Sequence, residues 1–335
     1  MSLSIGQKAG WGLADMGIVV FVIVKQLLIL AFMNSFLGIP IGLAGAVTTA
    51  VLIFDIISDP IIGYFSDKTV SRFGRRAPWM LVGAVVLALA MIGLFAVPEN
   101  FTTNASLIWV TVFFLISTVG FTMVSIPYGA MAGEMTLDKK ERSSMTAWRM
   151  AFASLGILVG GALIPILAGD TKSGYTFAAI CVAPLIILSI WFSVFFTRNA
   201  PRTLVPSQQN FSYILKLVLA NRAFVTLVIL YGIMTLAIAL ITAGLPFAAM
   251  YLIMDDGNSL LSGVAKGLGT LSLMFAAFVI GSIISQALWV KLSNLYGKVT
   301  AQLIGIVCYI ALLIFIFFSL PNSNVTIIAG LFMLA

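Results

Sequence analysis

From about Trp11 to Leu320 the chain alternates between long runs almost free of charge and short polar turns. In hydrocarbon no water can satisfy a backbone N–H or C=O, so runs of this length can only become helices that bond within themselves. Hydrophobic residues make up 61% of the 335 and charged residues 9%, against about 25% charged in a soluble domain. The mean hydropathy is +1.14. No soluble core needs that much apolar side chain. The expectation is an all-α, multi-pass protein of the plasma membrane, in contact with lipid.

The net charge of +7 lies in short loops between the runs, where Lys and Arg set topology; no basic patch remains for a nucleic acid. Histidine is absent and the two cysteines, Cys181 and Cys308, fall inside apolar runs. A disulfide framework, a Cys/His zinc site and histidine acid-base chemistry are thereby set aside, and no cofactor is expected. The first run is too long for a signal-peptide core and reads as a retained span.

Spans are expected at about Trp11–Phe36, Ile41–Phe65, Trp79–Val97, Leu107–Ala130, Thr146–Ala168 and Thr176–Phe196. After a polar linker come about Ala223–Leu252, Ser262–Val290 and Val299–Leu320. The division that follows is an amino-terminal six-helix bundle over 1–197, a cytoplasmic linker over 198–222 and a partial carboxyl-terminal bundle over 223–335. The linker, with Pro201, Pro206 and the triplet Gln208, Gln209 and Asn210, has room for a short surface helix. The last apolar run, from Val325, is too short to cross. Most Lys and Arg lie at Lys8 and in alternate loops, whereas Glu99, Asp170, Asp255 and Asp256 mark the opposite loops. The positive-inside rule then puts the amino terminus in the cytoplasm. GYFSDKTVSRFGRR from Gly63 and WVKLSNLYGKV from Trp289 hold corresponding places six spans apart, as in a parallel repeat that the second half leaves unfinished.

The chemistry is concentrated in VLIFDIISDPIIGYFSDKTVSRFGRRAPW, from Val51 to Trp79. Asp55 and Asp59 are four apart and share a helix face. One acid at the bilayer centre costs about 2.5–3.5 kcal/mol on insertion scales, so a pair needs a use. Two carboxylates can bind sodium or hold a proton, coupling charge neutralisation to movement; the alternative is a structural pair. Asp15 enters from the cytoplasmic side to a depth comparable with Asp59 and suits paired sugar hydroxyls. Lys25 interrupts an apolar run and either binds substrate, holds a partner on another helix or snorkels. Arg149 opens the buried part of the fifth span, to balance the acids of the second span or to contact substrate. Pro127 in SIPYGAMAGE can bend the fourth span and turn carbonyls toward a cavity, with hydroxyls from Ser125 and Tyr128. Gly63, Asp67, Arg72, Gly74, Arg75 and Arg76 combine tight turning with salt bridges able to latch one conformation. Glycines such as Gly42 and Gly45, or Gly156, Gly160 and Gly161, point to close helix packing.

The composite DxxxDPxxGxxxDxTxSRxGRRxPW, with WGLAD in the first span and IPYGAMAGEMTLDKKER after the fourth, resembles the signature of the glycoside-pentoside-hexuronide:cation symporters, melibiose permease-like members of the major facilitator superfamily. The resemblance implies a two-bundle fold of twelve helices, here ending after about nine or ten. It implies cation-site acids at Asp55 and Asp59, a sugar-contacting acid at Asp15 and the fifth-span arginine at Arg149. The melibiose branch carries a further acid in the fourth span and an aromatic just beyond, where this chain has Ser125 and Gly129. That departure counts against a melibiose-like sugar and against sodium.

The reading is a monomeric secondary transporter, not an enzyme, that moves a sugar or glycoside with sodium or protons by alternating access. The alternatives are an anionic or amphipathic solute, prompted by Lys25, and a noncatalytic sensor or assembly protein that keeps the fold.

Overall fold

The computed structural model describes residues 3–169, 171–201, 220–253, 255–320 and 324–334. Helix α1 runs from Ile5 to Ser35, α2 from Ile41 to Lys68, α3 from Ala77 to Phe95 and α4 from Thr103 to Met135. Helix α5 begins with Lys139–Leu158 and ends with Ile164–Ala168, and α6 is Lys172–Thr197. Then come α7 at Arg222–Tyr251, α8 at Ser262–Leu268, α9 at Thr270–Tyr296, α10 at Lys298–Ser319 and α11 at Val325–Leu334. Among the described residues eight helices are long and apolar enough to cross a membrane, or nine if α8 and α9 count as one span. The expected linker and the Asp170 turn lie largely outside the described residues.

Short polar residues start the helices by accepting otherwise orphaned N–H groups. Ser4 and Gln7 form a capping box at α1, so that helix begins before the Trp11 expected from hydropathy. Thr102, Thr171 and Asn221 cap α4, α6 and α7. Pro127 and Pro60 lie inside α4 and α2. Each proline withholds one N–H, leaving the carbonyls of Met123 and Ile56 without their helical donors. Two π-helical turns, Val24–Leu28 in α1 and Val159–Leu163 in α5, each insert a wider ring into a long helix.

The eighth expected span differs from the structure. Ser262–Leu268 turns by 109° into α9 at Gly269, whose φ of +84° favours glycine. The two pieces together are still apolar enough to read as one span, although Lys266, Gly267 and Gly269 interrupt the run.

Helices α1 to α6 share one core, with α1 buried among α4, α5 and α6 and α3 packed closely on α4. Small residues set the spacing: Gly156 lies against Met16 and Gly160 against Ile23. Gly161 faces Phe275. Gly42 and Gly45, expected to pack in the same way, face open space. A smaller core joins α9 to α11, through residues such as Met274 and Ile328.

The two groups of helices meet at the end away from the amino terminus. Helix α7 packs on the π turn of α1 and α9 on that of α5, where the Ser272 hydroxyl donates to the Ala162 carbonyl at 3.1 Å. Toward the amino-terminal end, α7 is exposed from Thr226 through Met234.

Candidate functional site

Helix α2 presents Asp55 toward α1 and α4. The Lys25 ammonium, carried on the π turn of α1, lies 2.7 Å from Asp55 Oδ2. Thr122 on α4 donates its hydroxyl to Asp55 Oδ1 at 3.1 Å. Both carboxylate oxygens are therefore engaged by the protein. The Lys25 ammonium also faces the Phe121 ring, 5.7 Å from its centroid. One turn along α2, Asp59 Oδ1 is buried with no hydrogen-bond partner among the described residues.

A second cluster joins α1, α4 and α5. Asp15 Oδ2 accepts from Arg149 Nε at 3.0 Å; the Asp15 side chain is 2% exposed and that of Arg149 43%. Trp11, one turn before Asp15, stacks on Tyr128 with centroids 4.7 Å apart and donates its indole N–H to the Tyr128 carbonyl at 3.3 Å. The Arg149 guanidinium lies 5.7 Å from the centre of the Tyr128 ring. Asp15 Oδ1 and the Tyr128 hydroxyl are buried without partners among the described residues. Arg149 is thus the open member of the group, with Asp15 and Tyr128 behind it. Ser125, on α4 between the two clusters, is half-buried.

The pairings separate options that spacing left open. Arg149 meets Asp15 rather than the acids of α2, and Lys25 finds its partner across helices at Asp55. Thr122 and Tyr128 are six residues apart, about 9 Å of helical rise, so the clusters occupy different levels of α4. Two participants escaped the sequence reading. Trp11 was visible as the residue four before Asp15 on one face; Thr122 offered only a hydroxyl in an apolar run.

At the amino-terminal end the basic turn closes on an acid from α4. Glu134 Oε1 is 3.1 Å from Arg76 Nε and 3.3 Å from Arg75 Nη2. Arg76 also reaches Asp67 at 2.5 Å and the Ser66 hydroxyl at 2.9 Å. Gly74, at φ +92°, supplies the tight turn. Gly63 does not: it lies inside α2, where an added Cβ would meet Ile126 at 3.5 Å. Arg72 is exposed and stacks on the neighbouring Phe73. Glu134 was legible as an acid on the same side of the membrane as the basic loop, though its pairing was not. Glu134→Gln removes the charge that holds both arginines. Hydrogen exchange over 69–76 is expected to rise about ten- to a hundredfold, since a bond to a charged group contributes roughly 1.5–3 kcal/mol; unchanged exchange would mean that Asp67 and Ser66 suffice.

Among the described residues no group of three or more His, Cys, Asp and Glu is placed to hold a metal ion. A depression lined by Pro98, Glu99, Lys172 and Phe177 lies at the other end of the molecule, apart from both clusters.

Residues 10–335 match the family described as MFS/sugar transport protein. The chain is 28% identical to the "Putative glycoside/cation symporter YagG" of Escherichia coli K12, over 98% of this chain and 70% of the relative. It is also 28% identical to the "Uncharacterized symporter YjmB" of Bacillus subtilis 168, over 90% of this chain and 65% of the relative. A "Putative 2,3-dihydroxypropane-1-sulfonate exporter" of Salmonella typhimurium LT2 is 28% identical over 57% of this chain and 43% of its own length. These matches agree with the all-α membrane fold and favour a transporter over an enzyme. With almost its whole length matched, the chain belongs to the MFS/sugar transport protein family.

Proposed function

We propose that the protein is a cation-coupled symporter of a sugar or glycoside, related to the glycoside-pentoside-hexuronide:cation symporters, with its amino terminus in the cytoplasm. The observation that carries the reading is Asp55 and Asp59 on α2, among helices of a sugar-transport family. Carboxylates at that depth tie neutralisation by a cation to a change in packing. Arg149 offers a fork of donors to solute hydroxyls, and Asp15 orients it at 3.0 Å. Asp15 lies buried behind that guanidinium, so its own contact with sugar hydroxyls requires Arg149 to move aside first. With the amino terminus in the cytoplasm, the contacts of α7 and α9 on the two π turns close the outer side, and the exposed stretch of α7 faces inward. The cluster of Arg75, Arg76, Asp67 and Glu134 then latches the inner surface.

An anionic solute is the second reading. It is favoured by the exposure of Arg149 and by the relative named as a sulfonate exporter. Lys25 gives it less support, because its charge is already matched by Asp55.

The test is accumulation of labelled glycosides, uronides and sulfonates by the full-length protein in sealed vesicles under imposed sodium or proton gradients. Asp55→Asn and Asp59→Asn are expected to abolish gradient-driven accumulation while leaving the protein in the membrane. Accumulation of none of these solutes under either gradient would overturn the proposal.

A further inference from the structure

We propose that Lys25 is a tethered cation that takes the coupling-ion position at Asp55, so that the site refuses sodium and lithium; this rests on the symport reading and names the ion specificity of the same site. Three observations carry it. The ammonium is 2.7 Å from Asp55 Oδ2, with Lys25 and Asp55 side chains only 11% and 17% exposed. The other oxygen of Asp55 already takes the Thr122 hydroxyl. The lysine is also confined, since its stem rises from the π turn and its charge faces Phe121.

A hard cation needs several oxygen ligands drawn around it. With Asp55 occupied on both oxygens, Asp59 is the one carboxylate of the pair with an unpartnered buried oxygen. A metal ion there would sit beside a fixed positive charge, which like-charge repulsion disfavours at low dielectric. To use Asp55 as a ligand, sodium must first displace an ammonium that is covalently held and so present at very high effective concentration. Two acids and one lysine leave a single uncompensated charge in the cluster. The charged neighbours are accounted for: Asp55 and Asp59 come from α2 and Lys25 from α1, while Thr122 is the polar contribution of α4. Arg149 is committed to Asp15 in the other cluster.

The experiment uses the full-length protein in detergent or nanodiscs, with thermal unfolding in about 100 mM sodium chloride compared with choline chloride at equal strength. Wild type is expected to unfold at the same temperature in both salts. Lys25→Met and Lys25→Gln free Asp55, and sodium is expected to raise their midpoint by about 2 °C or more, as a ligand bound to the native state must. Rescue of a variant that folds only in sodium supports the proposal in the same way. A sodium-stabilised wild type would overturn it. So would a folded variant with no sodium response, or loss of folding by both variants in either salt, which would make the ammonium structural. This readout needs no solute, so it fails or succeeds apart from the vesicle test: the absence of uptake defeats the symport reading without moving these midpoints.

Discussion

Replacing Arg149 with alanine is expected to destabilise the protein by about 3–5 kcal/mol, more than any other single change at the two polar clusters, because it leaves a buried charge without its partner. Asp15 is 2% exposed, and its Oδ1 already lacks a partner among the described residues. Loss of the Arg149 bond at 3.0 Å would leave neither carboxylate oxygen satisfied. The reverse change is milder. Asp15→Asn strands a guanidinium whose side chain is 43% exposed and can turn to water, so about 1–2 kcal/mol is expected. The double variant Asp15→Asn with Arg149→Ala should recover much of the loss seen in Arg149→Ala alone, since the buried charge is gone. Thermal unfolding of the four proteins measures the cycle. Equal losses in the two single variants would show that the charge on Asp15 is compensated from elsewhere.

The second large effect is steric. Helices α3 and α4 approach so closely at Gly120 that a Cβ there would lie 2.5 Å from the Leu87 backbone nitrogen and 2.8 Å from its Cα. Backbone atoms cannot turn aside as the end of a side chain can, so the helices must separate. Gly120→Ala should destabilise by at least the roughly 1–3 kcal/mol of ordinary overpacking, and Gly120→Val by more. Gly129, nine residues later on the same helix, is the control. Two and a half turns put it on the opposite face, where an added Cβ meets nothing within 4 Å. Gly129→Ala should be neutral or stabilising by about 0.5–1 kcal/mol, through helix propensity alone. If both alanines proved harmless, the close crossing of α3 on α4 would be wrong.

The membrane helices were legible because length and hydropathy leave the backbone no other way to satisfy itself. The acids and bases inside the runs were legible for a related reason: each is costly in hydrocarbon and so stands out by composition. Thus Asp15, Lys25, Asp55, Asp59 and Arg149 were all singled out, and so were the residues of the basic turn.

Partners were a different matter. Lys25 had three readings from sequence, and the choice among them depends on where α2 lies, thirty residues further along the chain. Arg149 was offered to the acids of α2, whereas its bond is to Asp15, 134 residues away. In a soluble helix the apolar stripe would show which face turns inward. In lipid both the packed and the outer faces are apolar, so that signal fades and the rotation of each helix is set by close packing. The same limit explains Gly42 and Gly45, read as packing residues and found facing open space, and the 109° bend at Gly269 inside a stretch that hydropathy reads as one span. The sequence by itself determined the membrane helices, their charged interruptions and the acids of α2, because solvation acts on each residue where it stands. Only the tertiary structure decided that Lys25 neutralises Asp55, that Asp15 holds Arg149 and that Glu134 closes the basic turn, because a charge selects its partner by distance across helices that sequence spacing does not measure.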